Sequence, residues 1–283
     1  MRFSLSPVRT FASLFSHCAP SLLFFCISLL LTHCAGISMR EKACLEASSF
    51  GFSESILTLT PFPLFSLIRK GNGDCLRVYI EGDGHAFLSP ALPSSDPTPY
   101  YPVALWLAIH DPSPNPVVYL ARPGQYLDGV QNVSKAFWTD ARYSEEVLTA
   151  YDEALDNLKE NLGASKLTLV GFSGGGCVCT LLAERRCDVV FLGSIGGNIN
   201  LHAWFEWKNL DPMPDSLDPM ESVETIRHIP QRHVIGTEDT QIPWEGLLAF
   251  CTACGQKASC QRIPNMGHIG PWHNVWSYEY PSR

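Results

Sequence analysis

The sequence predicts an α/β fold in which a doubly wound, mostly parallel sheet carries helices on both faces. Short apolar runs, typical of strands buried on both sides, alternate along the chain with segments of helical periodicity. Most of these runs end at a loop rich in glycine or charged residues, and such loops meet at the carboxyl edge of a parallel sheet. Apolar residues make up 46% of the chain and charged residues 17%, a composition that favours a globular protein with a sizeable core.

Each run that we interpret as a strand is short, mostly aliphatic, and followed by a turn or loop. These strands are predicted, in chain order, at 76–80, 117–120, 167–170, 189–192, 233–235 and 262–263. An edge strand is indicated at 56–59. It lies inside an N-terminal segment, 37–70, whose serine, proline and phenylalanine residues otherwise follow no regular pattern.

The helix with the strongest sequence support begins after Ser144, an N-cap residue type that two acidic residues follow in the first turn. Its apolar residues recur at spacings of three and four, so one face is expected to pack inward, and Gly163 is a C-cap residue type. Further helices are predicted at 103–109, 174–185, 221–227 and 244–251. The stretch 198–219 is expected to be rich in loops and aromatic residues.

A glycine-rich turn follows the predicted strand 167–170. Its residues, Gly171-Phe172-Ser173-Gly174-Gly175, match the G-x-S-x-G pattern of a nucleophile elbow. In that turn a strand passes sharply into a helix and lifts a serine hydroxyl above the sheet, while the flanking glycines leave room for close backbone neighbours. The position of the pattern between a strand and a helix makes Ser173 the candidate nucleophile, against the alternative of an ordinary helix N-cap.

The charge balance excludes some classes of partner. Twenty basic and 28 acidic residues give a formal net charge of −8, so no basic patch for nucleic acid is expected. The partner that the sequence favours is a small-molecule substrate, and no pattern indicates an oligomeric state.

Residues 1–36 differ from the rest and are predicted to be an export signal, which leaves 37–283 as the catalytic domain. Arg2 and Arg9 precede an apolar run at 21–31 that is too short to span a bilayer but suits a signal peptide. Leu31 and Cys34 fit a lipoprotein cleavage pattern, whereas His33 departs from it. Three forms therefore stay open: a lipoprotein anchored through Cys34, an ordinary cleaved signal, and an uncleaved anchor. Each places the protein outside the cytoplasm, at the periplasmic face of a bacterial membrane or free in the periplasm or medium.

The chain contains 11 cysteines, and some are expected to pair in an oxidising compartment. Cys251, Cys254 and Cys260 could suggest zinc. However, the sequence has no second C-x-x-C and no nearby histidine pair, so we predict no metal site.

A serine nucleophile needs a base and an orienting acid. His268 is the candidate base because it follows Gly267 on the loop after the last predicted strand, a position that neither His85 nor His273 has. The acid is expected on the loop after strand 233–235, where Glu238 and Asp239 are both candidates.

Taken together, these motifs resemble the α/β-hydrolase superfamily, and most closely its bacterial exported, lipoprotein-type members. The resemblance spans 76–276. It rests on Val78-Tyr79-Ile80-Glu81-Gly82-Asp83-Gly84, Gly171-Phe172-Ser173-Gly174-Gly175, Gly236 through Pro243, and Gly267-His268. The family pattern of Gly, two residues, Asp, two residues, an aliphatic residue and Pro falls on Gly236, Asp239, Ile242 and Pro243. The resemblance therefore implies that Asp239 is the acid.

An oxyanion hole in such a fold takes one backbone N–H from the residue after the nucleophile, here Gly174, and one from the loop after strand 76–80. Where relatives often carry His-Gly, this chain has Glu81-Gly82, so the resemblance implies Asp83 as the second donor. A carboxylate beside a developing oxyanion is repulsive unless it is turned away or paired, and Gly84 is the alternative donor.

The sequence therefore predicts a serine hydrolase that cleaves a carboxylic ester, or a related acyl compound, through an acyl-enzyme and without a cofactor. The segment between strands 189–192 and 233–235 is too short for a large lid domain, which favours small or medium substrates. Two alternatives stay open: an acyltransferase with the same three residues, and a catalytically idle, membrane-tethered binding protein.

Overall fold

A computed structural model describes residues 36–89, 91–128 and 133–280. Residues 39–283 form one compact unit. The predicted export segment lies outside the described residues, except for Gly36. Among the described residues, none of the helices combines the length and the apolar character needed to cross a bilayer.

The sheet elements and helices alternate along most of the chain. The strands are β1 Ser53–Leu57, β2 Leu64–Arg69, β3 Cys75–Ile80, β4 Phe87–Ser89, β5 Leu92–Pro93, β6 Val117–Leu120, β7 Lys166–Phe172, β8 Val189–Ile195, β9 Gln231–Gly236 and β10 Ala258–Ile263. The α-helices are α1 Met39–Ser48, α2 Val103–Ile109, α3 Glu145–Leu162, α4 Gly174–Arg185, α5 Leu201–Lys208 and α6 Trp244–Cys254. Short 3₁₀ turns occupy Lys135–Trp138, Pro219–Glu221, Val223–Ile226 and Trp272–Asn274.

Eight strands form one sheet in the order β1-β2-β6-β3-β7-β8-β9-β10. Within this sheet the pairs from β6 to β10 are all parallel, and β1 with β2 and β2 with β6 are antiparallel. Strands β4 and β5 form a separate antiparallel pair. This order confirms the predicted doubly wound, mostly parallel sheet. The carboxyl ends of β3, β7 and β9 consequently share one edge, where parallel α/β sheets bind ligands.

Side chains that alternate along the central strands build two cores, one on each face of the sheet. In β3, Val78 and Ile80 belong to the core that also contains residues of α3, α4 and α6, whereas Tyr79 belongs to the core on the opposite face, with residues of α1 and α2 and with Trp272 and Trp276. Both faces are therefore covered by helices, as predicted.

Helix α3 has the ends that its sequence predicts. The Ser144 hydroxyl accepts a hydrogen bond from the Val147 N–H at 3.4 Å, and Gly163 adopts the left-handed conformation with φ 67°. Both caps are local, which explains why this helix can be predicted from a short stretch of sequence.

The sequence prediction was wrong for parts of the segments on either side of the central sheet. The segment predicted to be irregular at 37–70 contains α1 and β2. Strand β2 differs from a purely apolar strand because Ser66 is one of its buried residues. The Ser66 hydroxyl donates a hydrogen bond to the Ser55 carbonyl at 2.9 Å. The predicted helix at 221–227 is instead a pair of 3₁₀ turns.

The stretch 198–219, predicted to be rich in loops, contains α5. The first N–H groups of this helix donate to Asn200 and to Asp218, a residue beyond the other end of the helix. A cap supplied from so far along the chain has no local sequence signature. Between β8 and β9 the structure describes every residue and shows only α5 and two 3₁₀ turns, so this fold has no large lid domain.

Cys251 and Cys260 form a disulfide that joins α6 to β10. This bond confirms that some cysteines pair. It also uses two of the three cysteines that would have formed the zinc site considered from the sequence, while the Cys254 thiol lies buried near the Gln231 side chain.

Candidate active site

Ser173 lies at the sharp turn between β7 and α4 and has an unusual backbone conformation, with φ 51° and ψ −122°. The turn is tightly enclosed. A Cβ on Gly171 would lie 2.2 Å from the Gly175 carbonyl oxygen, and a Cβ on Gly175 would lie 2.3 Å from the Ile80 carbonyl oxygen. Glycine at these positions therefore allows α4 to start against β3 and β7, as a nucleophile elbow requires.

The three side chains of the predicted catalytic set form one hydrogen-bonded chain. His268 Nε2 lies 3.0 Å from Ser173 Oγ, and His268 Nδ1 lies 2.8 Å from Asp239 Oδ2. The Asp239 side chain is only 1% exposed and the His268 side chain 14%. The site is therefore largely shielded from water, and the serine still opens to the cleft.

Asp239 is oriented by its own loop. Its Oδ1 atom accepts the backbone N–H groups of Gln241 at 2.7 Å and Ile242 at 3.1 Å, which leaves Oδ2 to meet the histidine. Glu238, the alternative acid, is exposed and lies on the rim of the cleft.

The other two histidines considered from the sequence do not touch Ser173. His85 lines the cleft beside Tyr100, with ring centroids 5.1 Å apart, and His273 stacks on His110 with centroids 4.2 Å apart. Among the described residues, His268 is the histidine in contact with Ser173 Oγ.

A second serine–histidine pair lies in the core. Ser194 Oγ is 2.8 Å from His233 Nδ1, and His233 Nε2 is 3.0 Å from Gln231 Oε1. All three residues are buried, and burial lowers the pKa of His233 to about 3. This pair has no access to a substrate, so contact between serine and histidine alone does not identify an active site.

The two predicted oxyanion donors lie next to each other and next to Ser173. A Cβ on Gly174 would lie 2.0 Å from Asp83 Oδ1, and a Cβ on Gly82 would lie 3.2 Å from Ser173 Cβ. Within the described chain, the backbone N–H groups of Gly174 and Asp83 make no hydrogen bond. Gly84, the alternative donor, packs instead against Pro97 and Gln125.

The Asp83 carboxylate, expected to be repulsive unless paired, is paired. Arg122 Nη1 donates to Oδ1 at 3.0 Å, while Arg142 Nη1 and the Tyr143 hydroxyl donate to Oδ2 at 2.8 and 3.3 Å. Burial raises the pKa of Asp83, but Arg142 and Arg122 lower it by more, so the pKa lies below its ordinary value. These three partners were missed from the sequence. Only the place of Arg122, directly after a predicted strand, could have indicated one of them.

A second carboxylate, that of Glu81, is buried beneath the same loop. Its Oε1 atom accepts the backbone N–H groups of Gly82 at 2.9 Å and Ala104 at 3.4 Å, and its Oε2 atom has no hydrogen-bond partner among the described residues. Burial raises the pKa of Glu81 to about 7. No pattern in the sequence indicates a role for this residue.

The serine and the histidine open into a cleft of about 690 Å³, which is the size of a small-molecule site. Much of its lining is aromatic or aliphatic. The main contributors are Tyr100, Tyr101, Trp204, Ile242 and Ile269. Among the described residues that line the cleft there is no lysine or arginine.

No family model matches the sequence, and no curated protein matches it significantly. Solved structures do match. An alpha-beta serine hydrolase homologue from Coxiella burnetii is 14% identical with a TM-score of 0.56, over 79% of this chain and 92% of that one. Est1E from Butyrivibrio proteoclasticus is 14% identical with a TM-score of 0.54, over 76% and 90%.

An acylaminoacyl peptidase from Pyrococcus horikoshii is 11% identical with a TM-score of 0.59. The alignment covers 88% of this chain but only 41% of the peptidase, so the chain corresponds to less than half of that protein. At these identities the likeness establishes the fold, and the chain has the α/β-hydrolase fold.

The raised pKa of Glu81 makes a prediction about stability. Its folded-state pKa of about 7 exceeds its ordinary value of 4.5, so the folded protein holds this proton more tightly than the unfolded chain does. The resulting stabilisation is present below pH 4.5 and is lost as the pH rises to 7. We expect the free energy of unfolding of Glu81→Gln to fall less between pH 4.5 and 8 than that of the wild type. Glutamine stays neutral over this range and can accept the same N–H groups.

Free energies of unfolding from urea titrations between pH 4.5 and 8 measure the effect. Glu146→Gln, a change of an exposed glutamate on α3, is the matched control and should keep the wild-type dependence. A Glu81→Gln curve parallel to that of the wild type would contradict the prediction.

Proposed function

We propose that the protein is a serine hydrolase that cleaves a carboxylic ester through a covalent acyl-enzyme. The observation that carries the proposal is the hydrogen-bonded chain from Asp239 through His268 to Ser173 at the floor of a cleft. The α/β-hydrolase fold supports it, since this fold presents a serine from such a turn.

In this reaction the Ser173 hydroxyl attacks the acyl carbonyl carbon while His268 Nε2 takes its proton. An ionised Asp239 is only an acceptor, so it selects the tautomer in which Nδ1 carries hydrogen and Nε2 presents a lone pair to Ser173. Asp239 also stabilises the imidazolium that forms. His268 then protonates the leaving alcohol, and water, activated by the same histidine, releases the acid.

The negative oxygen of the tetrahedral intermediate would accept the N–H groups of Gly174 and Asp83. The orientation of the peptide between Ser173 and Gly174 supports this role for the Gly174 N–H. The carbonyl of Ser173, in the same peptide unit, accepts Gly176 N–H at 2.9 Å and Asn198 N–H at 3.0 Å. Because the C=O and N–H of a trans peptide point in opposite directions, the Gly174 N–H is directed away from those partners.

The cleft favours a neutral acyl group of small or medium size. Much of its lining is aromatic or aliphatic, and the short segment between β8 and β9 adds no large lid. An anionic acyl chain would have to leave water without a cation in the lining, and Glu238 on the rim would repel it. The peptidase with the same fold makes an amide the main alternative substrate.

We also propose that the protein works outside the cytoplasm. Residues 1–36 have the charge and hydropathy pattern of an export signal, and the disulfide between Cys251 and Cys260 suits an oxidising compartment. The mass of the mature N-terminus after expression of the full chain in a bacterium tests this. An acylated Cys34 or a simple cleavage near it is expected, and an intact Met1 on a cytoplasmic protein would contradict the proposal.

The catalytic assignment predicts covalent labelling at one serine. A fluorophosphonate probe should react with Ser173 in the wild type and should not react with Ser173→Ala. His268→Gln and Asp239→Asn should slow the reaction by about 10³-fold or more. The first substitution removes the base, and the second removes the carboxylate that orients the base and stabilises its cation.

The sequence offers a matched control for each partner residue. Glu238→Gln and His85→Gln change the alternative acid and a histidine of the cleft, and each should alter the labelling rate less than about tenfold, since neither residue contacts Ser173 or His268. A folded wild type that is never labelled would overturn the hydrolase proposal and favour the binding-protein alternative.

The lining of the cleft predicts a preference for uncharged substrates. We expect kcat/KM for methyl butyrate to exceed that for the monoanion of methyl succinate by about tenfold or more, because the carboxylate loses hydration without gaining a cation. The two esters have similar length, so charge is the variable. Equal values for the two esters would mean that the acyl chain does not enter this cleft.

A further inference from the structure

A polar cluster outside the serine, histidine and aspartate surrounds the Asp83 side chain. Two guanidinium groups, those of Arg122 and Arg142, share one carboxylate, and their side chains are only 2% and 10% exposed. The cluster is itself braced. Arg122 Nη2 donates to the Arg142 carbonyl at 2.7 Å, and Arg142 Nε donates to the Thr139 carbonyl at 2.6 Å.

Burying two guanidinium groups and most of a carboxylate is costly, because each charge loses hydration, and the attraction between the charges often fails to repay that loss. Attaching a surface loop does not require such a cluster. The two cations exceed the Asp83 carboxylate by one positive charge, which lies beside the residue whose N–H we assign to the oxyanion and which Glu81 beneath the loop offsets only when it is ionised.

The peptide unit between Gly82 and Asp83 is held from its other side. Its carbonyl, that of Gly82, accepts Gln125 Nε2 at 3.0 Å, and Gln125 is fully buried. The Arg122 backbone N–H donates to Gln125 Oε1 at 2.9 Å and so fixes which way the amide faces. Since the peptide is planar and trans, holding the carbonyl toward Gln125 directs the Asp83 N–H in the opposite direction.

Two independent contacts thus determine the orientation of one N–H group. Gln125 holds the carbonyl end of the peptide, and the arginine pair holds the side chain attached to its nitrogen end. The Asp83 carboxylate also packs directly against Gly174, so the two donor residues are held at a fixed separation.

We propose that Gln125, Arg122 and Arg142 are positioning residues, which aim the Asp83 N–H at the oxyanion and supply surplus positive charge that favours its formation. The inference rests on the proposed function and goes beyond it, because it assigns the orientation of the oxyanion hole to side chains that never touch the substrate. These residues stabilise the oxyanion, which forms in the transition state and not in the bound substrate. Their substitution should therefore change kcat more than KM.

The test compares Gln125→Met, Arg142→Met and Arg142→Lys with the wild type. Arg185→Met, which changes a surface arginine paired with Glu145, is the control. Active sites are counted by fluorophosphonate titration, and kcat and KM are measured with p-nitrophenyl butyrate at a temperature well below unfolding. The second-order rate of phosphonylation gives the same comparison if that ester is a poor substrate.

Gln125→Met and Arg142→Met should lower kcat per titrated site by about 10- to 100-fold, with KM within about threefold, since the donor is misdirected and not deleted. Arg142→Lys keeps the charge and should lie between Arg142→Met and the wild type. A short alkyl trifluoromethyl ketone, which forms an oxyanion on the serine, should bind more weakly in the variants by the factor lost in kcat/KM.

A purely structural role would lower the melting temperature and leave kcat per titrated site unchanged. Values within about threefold of the wild type for both methionine variants would therefore overturn the proposal. If Arg142→Met does not fold, Gln125→Met and Tyr143→Phe, which removes a single hydroxyl, distinguish a positioning role from a structural one. An unlabelled wild type would instead reject the proposed function, so the two failures are distinguishable.

Discussion

The conformation of Ser173 is the constraint on which the rest of the site depends. A non-glycine residue with φ 51° is strained by about 1–3 kcal/mol, so surrounding contacts must hold it in place. The Ser173 N–H donates to the Ile195 carbonyl at 2.9 Å on β8, and the Ser173 carbonyl accepts the Asn198 N–H at 3.0 Å. Strand β8 and the loop that follows it thus fix the turn from outside, and the serine hydroxyl projects into the cleft as a result.

The loop after β3 meets the same turn under a different constraint. It brings a carboxylate beside a peptide N–H that would bind a negative oxygen, an arrangement that is unfavourable for an isolated aspartate. Arg122 and Arg142 make it acceptable, since together they more than neutralise Asp83. Glu81 lies beneath the loop and holds its first N–H. A buried acid, Glu81, and a partly buried acid, Asp83, therefore support one short turn with opposite pKa shifts, because only Asp83 has cationic neighbours.

Several features could be predicted from the sequence because their causes are local. The buried strands are short apolar runs, α3 carries its own N-cap and C-cap, and the turn at Ser173 has its glycines within five positions. Strand β2, helix α5 and the 3₁₀ turns near 221–227 could not be predicted. For β2 and α5 the stabilising partners lie elsewhere in the chain, as with Asp218 at the start of α5 and the Ser55 carbonyl that Ser66 meets across the sheet.

The sequence by itself determined the class of sheet, the order of the loops at its carboxyl edge, and the candidates Ser173, Asp239 and His268. It left Glu238 open as the acid until the family pattern favoured Asp239, and it left the charge of Asp83 unexplained. Only the tertiary structure shows that Asp239 Oδ2 lies against His268 and that arginines from separate segments surround Asp83. Spacing along a chain reports periodic burial and local turns. Which charged groups become neighbours depends on how the strands and loops pack.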